Sequence, residues 1–459
     1  MIDDSTTQCL LFPEIFTKST VMRFDHRQGS SDGGAILLKA ADRRYGLIDG
    51  LAGCLRDERQ AGKVDHSLRE LLAQRVFSIA CGYPDANDSA RLATDPIHKM
   101  LLDRDPVAGR DLASQPTLSR FENAVGPKQL YRLGETLAAS VIQRHAERLR
   151  GRANRVTIDL DPTDDPTHGA QQLSFFNGHY DSWCYLPVMG FVTFNDEAEQ
   201  YLCTAVLRPG NVTAAVGAVG ILRRLTQLIR YFFPGVHLRV RLDGGFAHPD
   251  LLAFLDAEPN LEYIVAMAKN AVLKRKAKPA MRQARKLSRR TSQTEHVYGE
   301  ANYAARTWSR QRRMIIKAEV VRAEGKKPKD NPRFVITNMK QSPQFLYEKV
   351  YCQRGEIENR IKELHDLQID RTSCSDFWAN QFRVLLTAAA YVLMQELRLR
   401  AAAGTPCARA QVWMLRERLL KLGARVLVSV RRVVVHLPAS FPFLPTFRQV
   451  ALALGASPG

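Results

Sequence analysis

Asp161, Asp243 and Glu358 are the residues whose surroundings in the chain best suit chemistry. Asp161 closes the alternating run Arg155-Val-Thr-Ile-Asp-Leu-Asp161, and Asp243 follows a strand-like run from His237 to Leu242. Glu358 lies in a series, Tyr351, Arg354, Glu358, Lys362 and His365, that steps by three and four residues along one helix face. Acids at the ends of adjacent strands can converge, and the position just beyond a strand's C-terminal end is a favoured ligand site in α/β folds. Their mutual repulsion would then be relieved by protons or by a divalent cation, and Mg2+ prefers carboxylate oxygens. Two such ions, Mg2+ or Mn2+, about 3.5–4 Å apart would activate a water or a 3′-hydroxyl and stabilise the leaving oxygen of an in-line phosphoryl transfer. Each acid also has a plainer reading. Asp161-Pro-Thr-Asp-Asp-Pro is rich in turn formers, and Asp243-Gly-Gly can simply turn the chain out of a strand. Arg354, Glu358 and Lys362 can make solvated i,i+4 pairs worth about 0.3–0.5 kcal/mol each. Spacing alone leaves both readings open.

Other chemistries have less support. His168, His179, His248 and His365 are isolated, with no GxSxG elbow or GxxxxGK[ST] loop beside them, which disfavours covalent catalysis and nucleotide hydrolysis. The eight cysteines, Cys9, Cys54, Cys81, Cys184, Cys203, Cys352, Cys374 and Cys407, form no CxxC pair and no Cys/His cluster at zinc-ligand spacing. Their scatter points to a reducing compartment and argues against a structural zinc site. From Lys269 to Arg313 the chain is strongly basic, with Lys274, Arg275, Lys276, Arg312 and Arg313 among its cations and Tyr298, Tyr303 and Trp308 between them. That mixture suits a surface that tracks phosphates and stacks bases; a solvated charged loop is the alternative.

The elements that must position the acids follow from periodicity. After the strand ending at Asp161, the runs Cys184 to Phe194 and Gln200 to Leu207 read as a hairpin turned at Asn195 and Asp196. A helix from Ala214 to Tyr231, the strand before Asp243, a helix from Pro249 to Asp256 and a strand from Tyr263 to Met267 come next, giving the order β, β, β, α, β, α, β. Strand-like pieces Met314 to Val321 and Arg333 to Asn338 make the basic segment a partly β insertion. A helix from Pro343 through Leu364 carries Glu358, a more apolar one spans Phe377 to Leu399, and a β-like run from Arg425 to Leu437 holds Arg431 and Arg432. Upstream, Ser67 to Val125 is helical in pattern. Within it, Ser114-Gln-Pro-Thr begins a short helix presenting Arg120, either the second helix of a helix-turn-helix or a plain packing helix. The resulting blocks are a helical N-terminal DNA-binding region (1–150), a core (151–270), the insertion (271–342), core helices (343–400) and a basic C-terminal region (401–459), whose tail after Ala451 is expected to fray.

Length and composition agree with this division. The chain has 459 residues, 45% hydrophobic and 25% charged, which fits a globular protein of two or three units and excludes disorder along most of its length. Lys+Arg 66 against Asp+Glu 47 leaves a charge of +19, which favours a polyanionic partner, nucleic acid first, over a merely basic enzyme. MIDDSTTQCLLFPEIF lacks the positive start and long apolar core of a signal peptide. The apolar stretch Val384 to Met394 is far short of the roughly 20 residues that span a bilayer. A cytoplasmic protein with no membrane partner is expected.

The order of elements, with acids after the first and fourth strands and on the later helix, resembles the RNase H-like core of DDE transposases. More narrowly, IDLDPTDDPTHG, VRLDGGFAHPD and YCQRGEIENRIKELHDLQIDR look like the blocks of the IS1380 family of bacterial insertion-sequence transposases, and the likeness extends from GYPDANDSARL and LASQPTLSRFEN to LLKLGARVLVSVRR. The D-x-T context of that family and its IS4-like relatives falls on Asp161-Pro162-Thr163, with Asp159 as a reserve candidate. The second acid, before a Gly-Phe pair, is Asp243, and the Y-x2-R-x3-E-x6-K signature falls on Tyr351, Arg354 and Glu358, with His365 in place of the lysine and Lys362 one turn earlier. The resemblance implies a metal-dependent enzyme, with Mg2+ on Asp161, Asp243 and Glu358, that cuts double-stranded DNA at terminal inverted repeats and joins the ends to target DNA. It implies that Tyr351, Arg354 and Lys362 steady DNA phosphates, that the protein works as a homodimer on paired ends in the bacterial nucleoid, and that Trp308 in the insertion is a candidate to stack a flipped base. A non-catalytic DNA-binding descendant and a simple metal-dependent nuclease are the alternatives.

Overall fold

In the computed structural model, which describes residues 9–23, 25–401 and 403–458, the chain divides into two units. One comprises Tyr45–Glu58 and Phe121–Gln395, and the other the stretches up to Arg44, Arg59–Arg120 and from Glu396 onward.

The first unit is built on a nine-stranded mixed sheet. Val156, Ile158 and Leu160 alternate with Thr157, Asp159 and Asp161 on β1 (Arg155–Pro162), and the strand is buried on both faces along most of its length. β2 (Val188–Phe194) and β3 (Tyr201–Val206) continue from it antiparallel. α1 (Ala218–Phe232) returns the chain to β4 (His237–Leu242), parallel to β1, and α2 (Pro249–Ala257) leads to β5 (Leu261–Met267), parallel to β4. Crossover helices are what parallel neighbours require. The spatial order of these five is β3-β2-β1-β4-β5.

The insertion continues the same sheet. After the helix α3 (Ala271–Thr291), β6 (Glu295–Tyr303), β7 (Arg312–Val321) and β8 (Arg333–Thr337) extend the order as β5-β8-β7-β6. Ile315 on β7 and Val335 on β8 share a buried cluster with Ile264 of β5 and with Leu346, Tyr347 and Val350 of the following helix, so the insertion is packed into the core.

The run from Cys184 to Phe194 is not one strand: Ser182–Tyr185 joins a separate three-stranded sheet, and Pro187, which has no N–H to give a ladder, separates it from β2. The basic segment contains a helix that its charge density obscured. Asn270 caps α3 by accepting the Leu273 N–H, and Leu273, Ala277, Met281, Ala284 and Ser288 form its buried stripe. The helix from Pro343 onward changes pitch, with π-type turns over Leu346–Tyr351 and a 3-10 turn over Cys352–Gly355 before α4 (Glu356–Asp366). Val384 to Met394 is buried within α5 (Phe377–Arg400).

In the second unit, Ser67 and Glu70 form a reciprocal capping box at the start of the helix Leu68–Ala80. The segment 102–114 separates the helices Pro96–Leu101 and Gln115–Asn123, far more chain than the three- or four-residue turn of a helix-turn-helix. The basic C-terminal run forms the hairpin Ala424–Val428 and Val433–His436, with Arg431 and Arg432 in its turn. A helix covers Leu444–Ala453, so regular structure runs two residues past Ala451, with Thr446, Val450 and Leu454 buried. The first eight residues, on which part of the signal-peptide reading rests, lie outside the described residues. Among the described residues no helix is long and apolar enough to cross a membrane.

Candidate active site

Strand pairing brings the first two acids together. The last paired residues of β1 and β4 that stand opposite each other are Leu160 and Leu242, and Asp161 and Asp243 are the next residue along each strand. Asp243 also makes the turn that its Gly-Gly sequence suggests, since its Oδ1 accepts the Gly245 N–H at 2.9 Å. The turn reading and the ligand reading are therefore compatible at this residue.

The helix that carries the third acid reaches the same place. Arg354, buried in the 3-10 turn, donates from Nη2 to Asp161 Oδ1 at 2.5 Å and to the Leu160 carbonyl at 3.4 Å. It does not pair with Glu358, which the solvated-face reading would require. Glu358 is exposed on the first turn of α4, and its charge acts on Asp161. Burial pushes the Asp161 carboxyl up to about 6; Arg354 opposes that rise, while Asp243 and Glu358 add to it. Three carboxylates with one guanidinium between them leave a surplus of negative charge on hard oxygen donors, which suits a divalent cation such as Mg2+ or Mn2+. The carboxylates are nonetheless not gathered to chelating distance.

Among the described residues, the set of three potential ligands whose donor atoms all lie within 4.8 Å is Asp32, Cys81 and His98, in the other unit. Sequence spacing gave no sign of this cluster, because its members come from distant segments. Its carboxylate is already engaged, bonded to His98 Nε2 at 2.9 Å and to Lys421 Nζ at 2.7 Å.

Both oxygens of Asp159, the reserve candidate, are engaged by other side chains. Arg241 holds both of its oxygens, Nε to Oδ1 at 2.7 Å and Nη2 to Oδ2 at 2.6 Å, and Gln200 adds a bond at 2.8 Å. Tyr180 was not found from the sequence, because it lies in an irregular segment with no periodic signal. Its phenol is pushed up to about 12 by burial and by the charges of Asp164, Asp161 and Asp243. Tyr351, half-buried, is raised by burial and by Asp243. His365 is bonded to Asp370 at 3.2 Å and held toward its cationic form by that bond, whereas Lys362 is exposed.

The basic residues divide by engagement. Lys274, Arg275 and Lys276 are exposed on α3, and Arg120 is exposed on its short helix. Arg312 is buried, pairs with Asp256 at 2.7 Å and lies over the Trp308 ring. Arg313 pairs with Glu300 and donates to the Met339 and Gln341 carbonyls. Trp308 also meets Tyr303 edge-on, which leaves the indole partly covered.

The family model described as "Transposase DDE domain group 1" matches residues 12–458. The chain belongs to this family of DDE transposases. No curated protein matches it. Membership in the DDE transposase family implies DNA binding and transposition-related DNA cleavage or transfer, and divalent metal ions are the general cofactors of such enzymes.

Proposed function

We propose that this protein is a transposase of the IS1380 kind with an RNase H-like core, cutting double-stranded DNA at the terminal inverted repeats of its own insertion element and joining the freed 3′-hydroxyls to target DNA. The observation that carries the reading is the adjacency of Asp161 and Asp243 just beyond the paired ends of β1 and β4, with Arg354 and Glu358 brought to them by one helix. Asp161, Asp243 and Glu358 would hold Mg2+, or Mn2+ in its place, which when bound supplies Lewis-acid activation of the attacking oxygen and stabilisation of the leaving one.

The chain's own groups do the rest. Asp161 gives up its proton to become a ligand, and Asp243 is oriented by the Gly245 N–H. Arg354, once released from Asp161, offers a planar pair of donors to a phosphate near the scissile bond, with Tyr351 beside it and Lys362 or His365 further along the helix. The exposed cations of α3, Lys274, Arg275 and Lys276, follow the DNA backbone outside the site, and Arg120 extends contact from a helical N-terminal DNA-binding unit. Trp308 is the candidate for stacking a base, with Arg312 lying over its ring, and Arg313 is a further candidate contact to DNA. We assign DNA binding to the block 1–150, the catalytic core to 151–270 and 343–400, the insertion to 271–342 and a basic region to 401–459, although the two compact units cut across the block 1–150, and two copies act on paired ends in the bacterial cytoplasm.

The test is cleavage and joining by the purified protein on linear DNA carrying the element's ends, with Mg2+ or EDTA, comparing wild type with Asp243→Asn. Metal-dependent cuts at the ends, lost in the variant, with joined products, are expected. Cuts without joining would point to a simple nuclease, and tight end binding without any cut to a non-catalytic descendant.

A further inference from the structure

We infer that Arg241, through its buried pair with Asp159, is the positioning residue that sets the three acids relative to one another; the inference rests on the proposed acid site. Arg241 precedes Asp243 by two residues on β4, Asp159 precedes Asp161 by two on β1, and the two stand opposite each other in the strand register. Because strand side chains alternate, this pair lies one step below Asp161 and Asp243 on the same face of the sheet.

Both partners are buried, Asp159 at 0% and Arg241 at 4% exposure, and the contact is bidentate. The remaining arm of the guanidinium leaves the sheet. Nη1 donates to the Val350 carbonyl at 3.2 Å and lies 3.4 Å from Gln353 Oε1, where the helix passes from its π-type turns into the 3-10 turn that holds Arg354. One side chain thus bonds to β1 and to the helix leading to Glu358 while being part of β4.

A buried ion pair contributes little net stability, because desolvation offsets its attraction. What a guanidinium adds is direction: its planar fork of five donors fixes three partners at set angles, which a lysine ammonium on a flexible stem does not reproduce. Of the carboxylates that would hold metal, Asp161 meets the buried Arg354, which also reaches the Leu160 carbonyl, and Asp243 meets one backbone N–H.

The experiment uses the full chain as Arg241→Lys, as the apolar double variant Asp159→Leu/Arg241→Met, and as Gln353→Ala. Thermal unfolding, Mn2+ affinity by calorimetry without DNA, and end cleavage are measured on each. Arg241→Lys is expected to fold but to lose about 10–100-fold in Mn2+ affinity and in cleavage, the range for residues that orient metal ligands. The double variant is expected to unfold at or above the wild-type temperature while remaining as defective, which separates positioning from stability. Wild-type Mn2+ affinity and cleavage in either folded variant would overturn the inference. Should neither fold, Gln353→Ala, at an exposed position, decides: a loss of about threefold or more in Mn2+ affinity supports the brace, and no change overturns it. If wild type neither binds Mn2+ nor cleaves, the acid site itself fails and the inference with it, an outcome distinct from a brace that proves dispensable.

Discussion

Asp161 and Asp165 are both raised by burial, yet they predict different things. Asp161 has its carboxyl pushed up to about 6, so in the metal-free protein it carries a proton below that pH and loses it above. A divalent ion needs the carboxylate, and its affinity should therefore fall about tenfold per pH unit below 6 and level off above 7. Calorimetry of Mn2+ binding in buffers of different ionisation enthalpy should show about half a proton released at pH 6 and almost none at pH 8, with Asp161→Asn abolishing the difference. Equal release at both pH values would mean that Asp161 is not a ligand. Asp165 is buried with both oxygens bonded to the Thr372 hydroxyl, and its carboxyl is pushed up to about 8. The folded protein keeps a proton that the unfolded chain has already lost above the ordinary value of 3.8, so this residue lowers stability as pH rises from about 4 to about 8. Asp165→Asn keeps an acceptor for Thr372 and removes the penalty. Its unfolding temperature should exceed that of wild type by at least ~2 °C at pH 8, with a smaller gap at pH 5, and a constant gap would show that Asp165 is ionised in the folded state.

Two groups of cations near one another in sequence belong to elements that use them differently. On α3 the buried stripe points inward, and Lys274, Arg275, Lys276, Lys278, Arg282 and Arg289 are exposed. Replacing Lys274, Arg275 and Lys276 with alanine should weaken DNA binding and flatten its salt dependence, each lost phosphate contact lowering the slope of log K against log salt by about one. An unchanged slope would remove α3 from the interface. Arg312→Ala on β7 should act on the fold instead, destabilising by about 1–3 kcal/mol in denaturant unfolding, because Asp256 would lose its close guanidinium and keep only the Tyr263 hydroxyl and the more distant Arg310. The sequence made β1, β4, α2 and β5 legible, since each has a clear period and a turn or cap at its end. It also put Asp161 and Asp243 at strand ends. It did not reveal α3, whose single apolar residue per turn was masked by charge, nor the pitch change from Leu346 to Gly355, which no local propensity marks. The pairing of Arg241 with Asp159 was hidden for another reason: it depends on β1 and β4 becoming neighbours, a fact of topology.

Across the whole molecule, charge separates binding from catalysis. An excess of +19 acts on a polyanion through counterion release, a sequence-independent term to which three neighbouring acids contribute only as local repulsion. Neutralising Asp161, Asp243 or Glu358 raises that excess, so Asp161→Asn, Asp243→Asn and Glu358→Gln should bind end-bearing DNA as tightly as wild type or more tightly. A protein making about six to ten phosphate contacts loses about 10³–10⁵-fold in affinity between 50 and 200 mM salt, and a fall of that order is expected for wild type and variants alike. Cleavage should be abolished in all three, because each removes a charge that would hold the metal. Filter binding and cleavage measured on the same preparations distinguish the cases. Retained binding with lost cleavage assigns the acids to chemistry, whereas loss of both, accompanied by a lower unfolding temperature, would make them structural and leave the cationic surface as the protein's only means of acting on DNA.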